Sequence, residues 1–258
     1  VARAASLGTR AFSQPTGAGE LDIPAIRGLS GSVLHFIDDA SGLSDVWSVE
    51  FTPTTVNQTG ADIKRIDHLA QTMSYDEMLS WSLFYTSLFE MVKSPMFDVV
   101  DPDGLVRSQA LQTEDASFRI TLNGAETHRT MAGSFLADSF GASVQHIAMA
   151  TDDIFSTSDK MQALSFEPLP MSDNYYADLA ARFEIEHGLL ERLKSRNILY
   201  DEDENGAFFQ FYSRPFAGGF FFEIVQRRDG YAGYGAPNAP FRIAAQKRLM
   251  RPKGMPKR

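Results

Sequence analysis

Two histidines and one glutamate are the residues of this chain best suited to hold a metal ion together. His68 and His146 occupy copies of one short pattern, Ile66-Asp67-His68-Leu69-Ala70 and Val144-Gln145-His146-Ile147-Ala148. Glu223 is an isolated carboxylate inside Phe220-Phe221-Phe222-Glu223-Ile224-Val225. Two imidazoles and one carboxylate on separate strands form the ligand set of a non-haem Fe(II) centre, which leaves up to three positions open for substrate and oxygen. Mg, Mn, Co, Ni or Zn could occupy the same donors. The intervals from His68 to His146 and from His146 to Glu223 agree to within one residue, which points to a duplicated unit.

The elements that would position these groups follow from periodicity. Residues 63–71 and 144–151 read as the histidine-bearing strands, rich in β-branched residues. Between them, Tyr75 to Glu90 repeats apolar residues at helical spacing, with Met78, Trp81, Leu83, Phe84, Tyr85 and Leu88 on one side. Strands follow at 97–101, 106–112 and 118–123, with Asp101-Pro102-Asp103-Gly104 as a turn. The second copy continues with a helix at 154–164, a strand at 166–169 and an inserted helical stretch at 175–196. Strands at 198–201, 207–213 and 219–226 complete it. The result is an α+β fold of paired βαβββ modules, at about 62–125 and 143–227, whose sheets curl into a cup. Alternation puts Phe221, Glu223 and Val225 on one face of the last strand, and a carboxylate facing a cup is costly to bury unless a cation or several donors satisfy it.

Ahead of this unit, residues 1–8 read as the end of a helix, and 10–13, 31–38 and 46–51 as strands. That is a module lacking its first strand. Residues 1–55 are therefore expected to be the later part of an earlier module, residues 62–246 the metal-binding barrel and 247–258 a basic, solvated tail. The polar stretch 52–62 reads as a linker. A start at Val1 without methionine suggests a fragment or a processed piece.

Composition narrows the functional class. The chain has 258 residues, 43% hydrophobic and 22% charged, as in ordinary globular proteins. A net charge of −9 argues against a nucleic-acid partner, which would need a basic face. The absence of cysteine removes disulfides and thiolate chemistry and fits a cytoplasmic location. No apolar run approaches the roughly 20 residues that span a bilayer, so no membrane partner is expected.

Other chemistry-bearing patterns carry less. The run from Asp201 to Gly206 imitates a calcium loop, but Tyr212 stands where a bidentate glutamate is needed, so a hairpin turn is expected. His35, His128 and His187 lack patterned partners. Gly28-Leu29-Ser30-Gly31-Ser32 fails the nucleophile-elbow pattern, and no phosphate-binding glycine loop occurs.

From His68 to Asn238 the chain resembles the 4-hydroxyphenylpyruvate dioxygenase family of the vicinal-oxygen-chelate superfamily. The shared stretches are Ile66-Asp67-His68-Leu69, Gln145-His146-Ile147-Ala148 and Phe222-Glu223-Ile224-Val225-Gln226-Arg227. Residues 21–38 look like the end of that family's N-terminal barrel. The resemblance implies Fe(II) held by His68, His146 and Glu223 inside a barrel, with an aromatic or α-keto acid substrate. It also implies substrate-facing roles for Ser108, Asn123, Gln145, Gln210, Tyr212, Tyr234 and Asn238, and a homo-oligomer.

The chain departs from that pattern in several places. Met131 stands where the family has a glutamine, Tyr212 where it has phenylalanine, and Pro252 and Pro256 interrupt its closing helix. The segment from Tyr234 to Gln246, with 66–90 and 106–109, looks more like the dioxygenase-like half of fused bacterial 3-dehydroshikimate dehydratases. In those, the dehydratase site belongs to an N-terminal barrel, so a fused partner domain is expected and these residues alone should not dehydrate 3-dehydroshikimate.

Overall fold

The computed structural model describes residues 1–54 and 60–250. Helix α1 (Ala2–Ser6) leads into a small antiparallel sheet of β1 (Ala11–Phe12), β2 (Ala25–Arg27) and β3 (Val33–His35), in that order. Ala4 and Ile26 bury against Leu88 of the main body, and Arg3 pairs with Glu90. The stretch 46–51, expected as a strand, instead carries helix α2 (Val46–Val49). Gly42 takes a φ of 73° and starts a 3-10 turn, Leu43–Asp45, that runs directly into this helix. Trp47 and Phe51 meet at helical spacing, their rings tilted with centroids 5.4 Å apart, and among the described residues no strand pairs with this stretch to hold it extended.

The main body opens with β4 (Arg65–Ser74) and α3 (Met78–Phe89), followed by β5 (Val92–Lys93), β6 (Phe97–Asp101), β7 (Gly104–Gln112) and β8 (Arg119–Ala125). Helix α4 (Met131–Asp138), capped by Thr130, leads to β9 (Ser143–Ala150) and α5 (Ile154–Ala163). The inserted stretch forms two helices, α6 (Asp173–Arg182) and α7 (His187–Ser195). Then come β10 (Leu199–Asp203), β11 (Gly206–Tyr212), β12 (Phe221–Asp229) and α8 (Ala239–Met250).

Nine strands form one sheet in the order β10-β11-β12-β9-β4-β8-β7-β5, with β6 also paired to β7. The two histidine strands meet antiparallel at its centre, and each has the last strand of its own module parallel on its other side. The fold is thus mixed α+β, two βαβββ modules whose shared sheet curls into a half-barrel. Alternation sorts the faces. On β8, Ile120 and Leu122 pack with Trp81, Met78 and Tyr85 of α3, while Thr121 and Asn123 face the concave side. Fully burying each such large apolar side chain contributes about 1.5–3 kcal/mol, enough to fix the strand's facing.

Three other sequence expectations are corrected. Leu83 is exposed rather than on the apolar side of α3. Residues 166–169 form no strand, only a single bridge from Pro168 to Ser213. Helix α8 runs for 12 residues, to Met250, and lays Ala239, Arg242 and Ile243 over the concave side. Lys247, assigned to the tail, is in this helix and pairs with Asp101 and Asp103. Residues 251–258, with Pro252 and Pro256, lie outside the described residues, as do 55–59 of the linker.

Candidate metal centre

Strand register brings the three expected ligands together. Across the neighbouring strands β4, β9 and β12, one row of paired residues reads His68, Ala148, Glu223, and the next reads Ala70, His146, Phe221. Residues in register share a face, so His68 and Glu223 flank Ala148, and His146 reaches in from the next row. Their ligand atoms lie within 4.8 Å of one another, and all three residues are buried. His68 Nε2 and His146 Nε2 stand 3.4 Å and 3.3 Å from Glu223 Oε2. Donors bound to one ion at about 2.0–2.2 Å stand roughly 3.0–3.5 Å apart, so the donor set fits a divalent metal on chemistry and spacing.

The small residue between the ligands is part of this fit. Ala148 is fully buried directly between His68 and Glu223 in the register. Ala148→Leu would push a branched side chain into the space the ion needs, at a packing cost of about 1–3 kcal/mol. It is expected to leave a folded protein by circular dichroism that holds less than about half the wild-type metal after gel filtration, because the ion must displace that side chain to bind. Full metal content in the variant would show that the ion does not sit over Ala148.

Each histidine strand carries an irregularity just before its ligand. The β4–β9 register shifts once between Ile66 and His68 and once between Ala70 and Gln71, leaving Asp67 and Gln145 as the extra residues. Such bulges turn a side chain that strict alternation would send to the other face. Asp67 therefore lies beside His68 and accepts from its Nδ1 at 2.9 Å, holding Nε2 toward the other ligands. Arg227 donates to Asp67 from Nε and Nη2 at 3.0 Å and 2.9 Å, and Arg119 approaches at 3.4 Å. Gln145, the counterpart in the second module, faces the cavity. Among the described residues no acceptor meets His146 Nδ1; Phe221 stacks on its ring at 4.6 Å instead.

Electrostatics separate the two histidines. Burial pushes His146 down to about 4, despite its contact with Glu223. Burial also acts on His68, but its bonds to Asp67 and Glu223 outweigh it and raise the ring above its ordinary range. Burial opposes the charge on Glu223, yet the two imidazoles hold its carboxyl down at about 2. A metal must find neutral imidazoles. Between pH 5 and the ordinary histidine range His146 is already neutral and His68 is not, so binding there displaces one proton. Metal affinity is expected to rise about tenfold per pH unit from pH 5 to 6.5 in a competition titration, whereas two protonated histidines would give about a hundredfold.

The ligands line a cavity of ≈80 Å³, room for about three waters by volume. Of the residues expected to face substrate, Ser108, Asn123, Gln145, Tyr212 and Tyr234 line it. Tyr234 sets its ring edge-on to His68, with centroids 5.2 Å apart. Gln210 and Asn238 do not line it. Gln210 is fully buried, bonded to Tyr212 Oη at 2.6 Å and separated from the cavity by Gly235, where a Cβ would fall 2.2 Å from Gln210 Oε1. Asn238 uses its side chain on Tyr175 Oη and the Tyr200 carbonyl, pinning the loop before α8. Met131 does line the cavity, as an apolar wall.

Sequence reasoning gave no role to Thr121, Asp67, Arg119, Arg227 or Arg242. Thr121 pairs with Ala70 on β8 and Glu223 with Ala148 on β12, equivalent places in the two modules, and Thr121 is the uncharged one. The ligand set is therefore one-sided, with its free face toward β6, β7 and β8. For Asp67 a signal existed, since it directly precedes a ligand. Thr121, Arg119 and Arg227 required the sheet register, and Arg242 the docking of α8.

No family model matches the chain. A 3-dehydroshikimate dehydratase of Pseudomonas aeruginosa is 36% identical over 250 residues, 96% of this chain and 39% of that protein. The chain thus spans about two fifths of the length of the dehydratases it matches. Among solved structures, a xylose isomerase-like TIM barrel/4-hydroxyphenylpyruvate dioxygenase fusion protein superposes with a TM-score of 0.77 at 34% identity, over 96% of this chain and 39% of that one. A triple mutant of 4-hydroxymandelate synthase from Streptomyces coelicolor shares the fold, with a TM-score of 0.78 at 21% identity. The 4-hydroxyphenylpyruvate dioxygenase of Pseudomonas sp. is 31% identical over 247 residues, 92% of this chain and 68% of that enzyme. With the His-His-Glu geometry and the paired-module sheet, this extent of likeness shows that the chain belongs to the 4-hydroxyphenylpyruvate dioxygenase family.

Proposed function

We propose that this chain is an Fe(II)-dependent, dioxygenase-type domain that takes an α-keto acid into its cavity. The observation that carries the reading is the convergence of His68, His146 and Glu223 on one buried point with a ligand-free face toward β6–β8. His68, His146 and Glu223 would hold iron(II) there, and the ion would accept the carboxylate and keto oxygens of such a substrate and supply the redox chemistry toward oxygen.

The chain's own residues would do the rest. Ser108, Asn123 and Gln145 offer polar groups on the cavity wall to orient the bound acid. Burial raises the Tyr212 hydroxyl well above its ordinary value, so it stays protonated and can donate a hydrogen bond. Val99, Val106, Met131 and Ile243 make the wall apolar, and α8 closes over it, limiting water at the reacting atoms. Asp67 keeps His68 in the tautomer that presents Nε2.

Turnover of 4-hydroxyphenylpyruvate itself is expected to fall below about 1 per second, the low end for working enzymes. Met131 removes a hydrogen-bonding group and near-attack positioning is worth several kcal/mol. The test is oxygen uptake by iron-loaded protein offered 4-hydroxyphenylpyruvate and other α-keto acids. Uptake coupled to carbon dioxide release supports the reading, and its absence with every keto acid, in protein that holds iron, overturns it.

The second reading is a metal-binding module that supports a fused 3-dehydroshikimate dehydratase. The likeness to two dehydratases at 36% identity favours it. On that reading the dehydration itself belongs to a partner barrel. Iron-bound protein inert to all keto acids is the outcome it expects.

A further inference from the structure

The cavity holds a charge that metal binding leaves unused. Arg242, on α8, is half-buried and lines the cavity together with the three ligands. Its guanidinium carbon lies 5.0 Å from the ring centroid of Phe221, the ring that stacks on His146, and 5.8 Å from that of Tyr212. It donates to Gln246 Oε1 one turn along the helix, at 2.7 Å. Among the described residues no carboxylate stands within ion-pairing distance of it. By contrast Arg227 and Arg119, which also lie near the site, pair with Asp67.

Formal charge then constrains the ligand. A divalent ion on Glu223 leaves one net positive charge, and Arg242 adds a second in the same cavity. A keto acid with a single carboxylate cancels one of them and leaves the other partly desolvated, which is costly. A ligand with a second acidic group cancels both, and the planar guanidinium fork suits a carboxylate.

We propose that Arg242 is a specificity-determining residue that selects ligands with two acidic functions, an α-keto acid head for the metal and a distal carboxylate for the guanidinium. This rests on the reading that the triad holds a divalent ion. It narrows the substrate class from keto acids in general to dicarboxylic ones of compact size.

Binding rather than turnover tests it. Cobalt-loaded protein, in the absence of oxygen, is titrated by calorimetry and by its visible spectrum with matched pairs that differ only in the distal carboxylate. The pairs are oxaloacetate and 2-oxobutanoate, 2-oxoglutarate and 2-oxopentanoate, 2-oxoadipate and 2-oxohexanoate, and 4-carboxyphenylpyruvate and phenylpyruvate. The wild type is expected to bind at least one dicarboxylate about tenfold or more tightly than its partner. Arg242→Leu should reduce that preference to within about twofold at unchanged metal content, and Arg242→Lys should keep part of it as a charge without the fork. Equal affinities across every pair in metal-loaded wild type, or a preference that persists in Arg242→Leu, would leave Arg242 a packing residue on Phe221 and Tyr212 and overturn the proposal. Failure of the wild type to hold cobalt at all would instead overturn the metal-centre reading, and this proposal with it.

Discussion

Glu223→Gln is expected to empty the metal centre. Its carboxylate supplies the only anion among the three ligands, and both imidazoles point at the same oxygen, Oε2. The amide preserves volume and strand register but removes the charge that offsets the cation. Losing a residue that merely supports a ligand typically costs 10–100-fold in metal affinity, so losing the anionic ligand should cost more than about a hundredfold. Glu126→Gln is the matched control, because Glu126 pairs with Arg107 near the surface at 2.8 Å, away from the cavity. After dialysis against a mild chelator, the first variant should be metal-free and the second close to wild type. Equal metal content in the two would remove Glu223 from the ligand set.

The second large effect belongs to Asp67→Asn, and it should appear in stability as well as in metal affinity. The Asp67 side chain is 0% exposed and balances Arg227, which is 13% exposed. Neutralising it leaves a guanidinium buried without its counter-charge, a loss of roughly 3–5 kcal/mol for this kind of site. The His68 ring also loses the acceptor that fixes its tautomer, so metal affinity should fall about 10–100-fold.

The pH dependence gives this prediction a sign. Burial works against the Asp67 charge, but the bonds from His68 and Arg227 outweigh it and hold the carboxyl far below its ordinary range. A carboxyl depressed in the folded state stabilises the protein above its unfolded value, about pH 3.9, and that stability is lost as the pH falls below it. Asp67→Asn should therefore flatten the acid limb of the stability profile as well as lower the plateau. Denaturation midpoints equal to wild type at pH 7 would refute the role given to this carboxylate. Asp67→Asn combined with Arg227→Met should recover part of the loss, since removing both charges is less harmful than stranding one.

Much of the site was legible in the sequence because strand patterning is local. The repeated His-bearing runs, the isolated Glu223 and the nearly equal intervals between them mark three positions on three strands, and period-two alternation suffices to assign the face of Glu223. The apolar residues of α3 and most strand limits followed from the same periodicities. Short elements did not. The stretch 46–51 has strand composition and forms a helix turn, because strand residues need a partner edge and sequence does not show where edges lie, and 166–169 forms a single bridge at Pro168, which has no N–H to extend a ladder.

The remainder was decided by long-range packing. The bulges at Asp67 and Gln145 break the alternation that the reading relied on, so that Asp67 joins His68 instead of facing away. Register places Ala148 beneath the ligands and puts Thr121, rather than a second acid, at the position equivalent to Glu223. Gln210 and Asn238 sit behind the cavity wall, bonded within the core, although their types suit substrate contact. Arg242 enters from α8, and its place in the cavity depends on how that helix docks. Donor chemistry and strand facing are local properties, so the side chains able to bind a metal can be read along the chain. Which other charges share the cavity with them depends on how strands slide and helices dock, over distances no local pattern encodes.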